Sequence, residues 1–167
     1  MRCIAEPAPA PTLPGDDAAV PAVALRGFRP SDVGTISSIV AEALHEHYDP
    51  SLYGSLSAEW PAGFLVAADA RGAPVGFLLG VSQVPGEARV LMFAVEQGVR
   101  RSGVGSLLMD AFLDRCRLRG FRRVTLEVRV SNVNAIRFYT RYRYSVIDLL
   151  RSYYSDGENG YHMACEL

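Results

Sequence analysis

Lysine is missing altogether from the 167-residue sequence, and all 17 basic residues are arginines. Lysine Schiff-base chemistry, a Walker-type phosphate loop and lysine-tethered cofactors are therefore excluded. Cysteine is scarce. Cys3, Cys116 and Cys165 are odd in number, widely spaced and never paired as C-x-x-C. That speaks against a disulfide framework or zinc knuckle and for a reducing, cytoplasmic compartment. No apolar run approaches the ~20 residues of a membrane span. Residues 1–23 hold five of the ten prolines, which interrupt any secretory apolar core. His45, His47 and His162 are too sparse for a zinc site, and no metal is expected. Net charge is −1, so no global field points to nucleic acid or an anionic membrane.

What is present is ordinary in bulk and uneven in arrangement. With 49% hydrophobic and 21% charged residues, the chain reads as one globular domain. Residues 1–88 carry 4 arginines against 10 acids, whereas residues 89–167 carry 13 against 8. Between Arg100 and Arg143 the ratio is 11 to 3. The second half is suited to an anion, unless the arginines simply form a solvated helix face.

Residues 1–23 read as a flexible Pro/Ala-rich tail, and residues 24–167 as the domain. ALRGFR (24–29) reads as a strand, followed by a helix capped by Ser31 or Asp32 and carrying Val33, Ile36, Ile39, Val40 and Ala43. The aromatic stretch from Glu42 to Gly63 is loop-like. Three strands follow over 63–69, 75–84 and 88–96, joined by short turn-former clusters typical of antiparallel hairpins. A helix over 106–120 places Leu107, Leu108, Ala111, Phe112 and Leu118 on one stripe and stops at Gly120. A strand (121–130), a short helix (131–142) and two strands (144–150, 160–167) complete an α+β pattern, with a turn at Asp156-Gly157.

Two segments carry chemistry. Between Val95 and Ser106 a strand ends in an Arg/Gly-rich turn and a helix begins. Arg100-Arg101-Ser102-Gly103-Val104-Gly105 would bring backbone N–H groups and a helix N-terminus to phosphate oxygens, although a tight turn without ligand has the same pattern. Downstream, Glu127 sits in a β-rich run between Leu126 and Val128. It is either a solvated strand carboxylate or a carboxylate in a cleft, and thus a candidate base. Asn132 and Tyr139 share a face of the next helix, where a core tyrosine is the ordinary alternative.

From Ala24 to Leu167 the chain resembles the GNAT superfamily of N-acetyltransferases through Val95 and Arg100–Gly105. LEVRVSNVNAIRFY, followed by SYYSDGENGYHM, resembles the protein N-terminal acetyltransferases of archaea, the NatA catalytic subunit and the bacterial ribosomal-protein alanine acetyltransferase. The resemblance implies a mixed, mostly antiparallel sheet of about seven strands with about four helices, in the order β-α-α-βββ-α-β-α-ββ. It implies that Arg100 to Ser106 wrap the pyrophosphate of acetyl-CoA, and that Phe93 and Val95 contact acetyl and pantetheine through their backbones. Asn132 would touch the pantetheine arm, and Tyr139 the sulfur. Glu127 stands at the position of a general base. Tyr153 and Tyr154 flank the substrate N-terminus, joined by Tyr48, with Glu46 assisting deprotonation. Arg143-Tyr144 replaces the family's Gly-Phe after the tyrosine helix, Leu44-His45 replaces Leu-Pro, and Glu158-Asn159-Gly160 replaces Glu-Asp-Ala.

The implied activity is transfer of acetyl from acetyl-CoA to the N-terminal amine of a polypeptide, a ribosomal protein being one substrate that the resemblance allows. An α-amine, with pKa ~7.7–8.0 against ~10.4 for lysine, needs only a weak base. Backbone N–H groups near Val95 would stabilise the developing oxyanion. The alternatives are a small-amine acetyltransferase of the same fold, a catalytically silent CoA-binding module, and an RNA-binding scaffold. The partner expected is a peptide or protein N-terminus, with no nucleic acid or membrane. Monomer and homodimer are both left open.

Overall fold

The computed structural model describes residues 22–167, so most of the expected tail lies outside the described residues. In chain order the elements are β1 (Ala24–Gly27), α1 (Val33–Leu44), α2 (Pro50–Glu59), β2 (Phe64–Ala68), β3 (Pro74–Val84) and β4 (Glu87–Val95). Then come α3 (Val104–Leu118), β5 (Arg123–Arg129), α4 (Val133–Arg141), β6 (Ser145–Leu150) and β7 (Gly160–Glu166). The strands form one sheet in the order β1-β2-β3-β4-β5-β7-β6. Every neighbouring pair is antiparallel except β4 and β5. The α+β class and the element order implied by the resemblance are both present. None of the described helices is long and apolar enough to cross a membrane.

Strand alternation sorts side chains onto two faces. Leu65, Leu78, Val90, Leu126 and Met163 pack with Leu108, Phe112 and Tyr139 beneath α3 and α4. Phe64, Val66, Phe77, Leu79 and Met92 pack with Ile36, Val40 and Tyr53 beneath α1 and α2. Strand β2 is buried throughout and carries no polar residue. On the α3 face, Trp60 stacks near Phe112 and Phe121 with the Arg119 guanidinium 5.6 Å above it. Gly80 lies under this cluster, and a Cβ there would come within 2.3 Å of the Phe112 ring.

Four expectations are corrected. The stretch expected as loop contains α2. Asp49 caps it by accepting from the Ser51 N–H at 2.8 Å, Pro50 opens it and buried Tyr53 anchors it. The α3 stripe runs through Val104, Leu108, Met109, Phe112, Leu113 and Cys116, while Leu107 and Leu118 are exposed. Asp32 does not cap α1 through its side chain. It turns back to accept from the Arg29 N–H at 2.8 Å and from two guanidinium nitrogens of Arg26 at 2.7 and 2.8 Å. Finally, the strand expected over 121–130 is shorter at both ends, because Phe121 N–H still bonds to the Cys116 carbonyl at the end of α3.

The parallel β4–β5 ladder pairs Glu87 with Arg123 through to Val90 with Leu126 and stops there, although β4 continues to Val95 and β5 to Arg129. The register of β4 against β3 skips Leu91, so a bulge stands where the ladder ends. A bulge bends and twists its strand, and here the bend opens the sheet.

Candidate active site

The opened edge of β4 is left without a strand partner beyond Val90. The Glu96 N–H donates to the Val75 carbonyl of β3. Backbone groups alternate along a strand, so the N–H and C=O of Phe93 and Val95 face the gap instead. Next to them lies a cleft of about 790 Å³ on the α3/α4 side, lined by Phe93, Val95, the turn at 100–106 and α4. Four arginines border it, Arg100, Arg101, Arg137 and Arg141, and no acidic residue does. The turn itself is left-handed twice, with φ of +65° at Arg101 and +87° at Gly103. This folds the chain so that α3 starts at Val104 with its N–H end at the cleft. The first intrahelical bond runs from Leu107 N–H to the Gly103 carbonyl, leaving the N–H groups of Val104, Gly105 and Ser106 outside the helix ladder. An arginine-bordered cleft at a helix N-terminus, continuous with a free strand edge, fits a long thioester-bearing molecule with phosphates at one end.

The expected cofactor residues divide accordingly. Phe93, Val95, Arg100, Arg101, Gly103, Gly105, Ser106 and Asn132 line the cleft. Val104 points into the core, and the Ser102 hydroxyl donates to the Val99 carbonyl, so neither side chain faces it. The Arg100 guanidinium folds back, Nε donating to the Val95 carbonyl at 2.9 Å. Asn132 is also the N-cap of α4, its Oδ1 accepting from the Ala135 N–H at 3.1 Å. Tyr139 is buried at the inner end of the cleft, and burial pushes its phenol upward, with Tyr154 adding to the effect. It therefore keeps its proton at neutral pH.

Glu127 lies on the other face of the sheet, because Leu126 and Val128 on either side of it enter the α3/α4 core. Its side chain is 11% exposed and held among paired groups rather than freely solvated. Arg89 Nε donates to Oε2 at 2.8 Å, its Nη2 is ion-paired with the same oxygen at 2.7 Å, and His162 Nδ1 is 3.0 Å from Oε1. Arg89 Nη2 also donates to the Tyr153 hydroxyl at 3.1 Å. The Tyr153–Tyr154 loop is tied to β5 by Arg129, which donates to Asp156 at 2.7 Å and Glu158 at 2.8 Å and lies 4.0 Å over the Tyr154 ring. Gly160 lets the tyrosines settle, since a Cβ there would come within 3.3 Å of both rings. Burial pushes Tyr154 up to about 12; Arg129 opposes this, while Tyr153, Glu127 and Glu158 add to it. The Tyr48 phenol is raised by burial and then by the charges of Glu46, Tyr53 and Tyr153. Glu46 is half-buried and makes no hydrogen bond or ion pair among the described residues.

The model of the acetyltransferase (GNAT) family matches residues 34–143. The chain belongs to this family. It is similar to the N-alpha-acetyltransferase of Sulfurisphaera tokodaii, 33% identical over 155 residues that cover 86% of this chain and 92% of the relative. Its structure is similar to that of Ard1 from Thermoplasma volcanium, with a TM-score of 0.84 and 43% identity, covering 87% of this chain and 98% of the other. Chaetomium thermophilum Naa20, solved with a bisubstrate analogue, aligns with a TM-score of 0.79 and 28% identity over 86% of each chain.

As a GNAT acetyltransferase the chain uses acetyl-CoA, and the arginine-bordered cleft fits that co-substrate. Sequence reasoning missed Arg137, Phe138 and Arg141 on the cleft wall, although their 3- and 4-residue spacings would have put them on one helical face. It also missed Arg89 and His162, which reach Glu127 only through strand register: Arg89 stands beside Thr125, and His162 opposite Glu127.

Proposed function

We propose that this GNAT enzyme is a protein N-alpha-acetyltransferase. The observation that carries the reading is the gap between β4 and β5, with an arginine-bordered cleft on one face of the sheet and a tyrosine-flanked carboxylate on the other. Acetyl-CoA supplies the activated acetyl thioester. Phe93 and Val95 present backbone N–H groups at the gap, where they polarise the thioester carbonyl. Arg101, Arg137 and Arg141, with the N-terminus of α3, neutralise the phosphates. Glu127 is the centre of the proton-accepting machinery for the substrate ammonium. The protonated Tyr139 phenol gives its proton to the departing sulfur.

The peptide is held by Tyr48, Tyr153 and Tyr154. Arg89 occupies the acceptor side of the Tyr153 hydroxyl, leaving its O–H to donate to a peptide carbonyl. Loops closing from α1–α2 and β6–β7 suit an extended chain entering by its end, and offer little to a compact amine. In this reading the peptide enters on the face away from the arginine-bordered cleft, and the relatives named N-alpha-acetyltransferase support a polypeptide N-terminus as the partner.

The test is mass spectrometry of peptides with a free N-terminus and an internal lysine, incubated with enzyme and acetyl-CoA. Acetyl on the α-amine is expected. Acetyl on the lysine side chain with the N-terminus free would overturn the assignment.

A further inference from the structure

Glu127 is fully engaged. Arg89 donates from Nε to Oε2 and pairs with it through Nη2, and His162 Nδ1 meets Oε1 at 3.0 Å. An ionised carboxylate only accepts hydrogen bonds, so the ring nitrogen facing it carries the hydrogen. In the neutral ring that leaves Nε2 with a free lone pair. No donor reaches Nε2 among the described residues, and the His162 side chain is 25% exposed. His162 pairs directly opposite Glu127 across the β5–β7 ladder, so both side chains rise on the same face of the sheet, the face of the two tyrosine loops. A carboxylate locked from behind by a guanidinium, holding an imidazole by its Nδ1–H, is the arrangement that presents Nε2 as a base.

Resting on the acetyltransferase reading above, we infer that His162 Nε2 is the atom that takes the substrate ammonium's proton, with Glu127 and Arg89 orienting the ring. The ammonium has to shed two protons to become an amide. The first passes, directly or through one water, to Nε2, and the resulting imidazolium is paired with the Glu127 carboxylate until it releases the proton to solvent. The amine lone pair then bonds to the thioester carbon, and the carbon–sulfur bond breaks with its electron pair on sulfur. Tyr139 gives sulfur a proton and is reprotonated by the second proton from nitrogen. The balance is one amide, one thiol and one proton to solvent. An imidazole is in general a stronger base than a carboxylate, which suits removal of a proton from an α-ammonium.

The charged and titratable groups around His162 are Arg89 from β4, Glu127 and Arg129 from β5, and Asp148 opposite it on β6, with Tyr153 and Tyr154 from the β6–β7 loop. His162→Asn is the informative variant, because its amide N–H replaces the Nδ1–H toward Glu127 while Nε2 is removed. It should bind acetyl-CoA as the wild type does and lose ~10²-fold in kcat, together with the near-neutral rise of the kcat–pH profile. A second readout needs no turnover. Nitrogen-15 NMR of the three histidines, with His162→Asn assigning the signal, should show the neutral His162 ring as the Nδ1–H tautomer. Wild-type kcat in His162→Asn, a retained near-neutral rise, or an Nε2–H tautomer would each overturn the inference. Failure of the broader reading looks different: wild-type enzyme would bind acetyl-CoA and acetylate no peptide N-terminus, whatever the tautomer.

Discussion

Arg143 occupies a backbone position with φ of +64°, directly after α4. An L residue there brings Cβ close to the carbonyl, which glycine avoids. The turn nevertheless closes, with Arg143 N–H bonded to the Thr140 carbonyl and Tyr144 N–H to Tyr139, so that Tyr144 is buried under α3. The resemblance pointed to this position, where the family has glycine, and the structure shows the same turn made with an arginine. Arg143→Gly should therefore raise stability by ~0.5–1 kcal/mol, read as a higher urea midpoint with an unchanged slope. Single residues were legible from sequence where a local motif held them, as at Gly103 and Asn132. Arg89 and His162 were not, because nothing near either residue in the chain says which strand it will face.

At the scale of elements, the approach to α1 depends on one buried ion pair. Asp32 is 3% exposed. Burial alone would raise its carboxyl, but hydrogen bonds from Arg26 and the Arg29 backbone outweigh that and hold it below 3.8. A group depressed on folding stabilises fully above its unfolded pKa, and the contribution is lost as pH falls through the lower folded value. Asp32→Ala should cost ~1–3 kcal/mol at neutral pH by leaving Arg26 without its carboxylate. The gap between variant and wild type in urea unfolding should stay constant from about pH 5 upward and narrow below about pH 4. Sequence periodicity showed α1, α3 and α4 but not α2. Ser51, Gly54, Ser55 and Ser57 are weak helix formers, and α2 exists because Asp49 caps it and Tyr53 packs against α1 and the sheet. Its fate was decided by tertiary packing, which no local pattern records.

The whole molecule is a sheet with a candidate site on each face, the two meeting through one opening. The order of elements could be read along the chain, but the opening comes from a single skipped residue, Leu91, in the pairing of β4 with β3. This division predicts separable defects. Gly103→Asp forces an L residue into φ of +87° and sets a negative charge beside the phosphates, so acetyl-CoA affinity should fall beyond detection by calorimetry. Tyr153→Ala should raise the peptide KM ~10-fold or more, by removing a hydroxyl that Arg89 holds in place, with acetyl-CoA affinity unchanged. Milder substitutions on each face, Arg137→Ala and Tyr153→Phe, should combine additively in kcat/KM because they share no contact.

Trp60 is the only tryptophan in the sequence, and it lies 3% exposed between α3 and the sheet. Fluorescence excited at the red edge of aromatic absorption therefore originates from one indole, in contact with Phe112 and Phe121 and overlooked by the Arg119 cation. None of the residues lining the cofactor cleft belongs to that cluster. The protein thus carries its own optical probe of whether α3 is seated on the sheet, one that distinguishes a variant with a damaged site from a variant that has come apart.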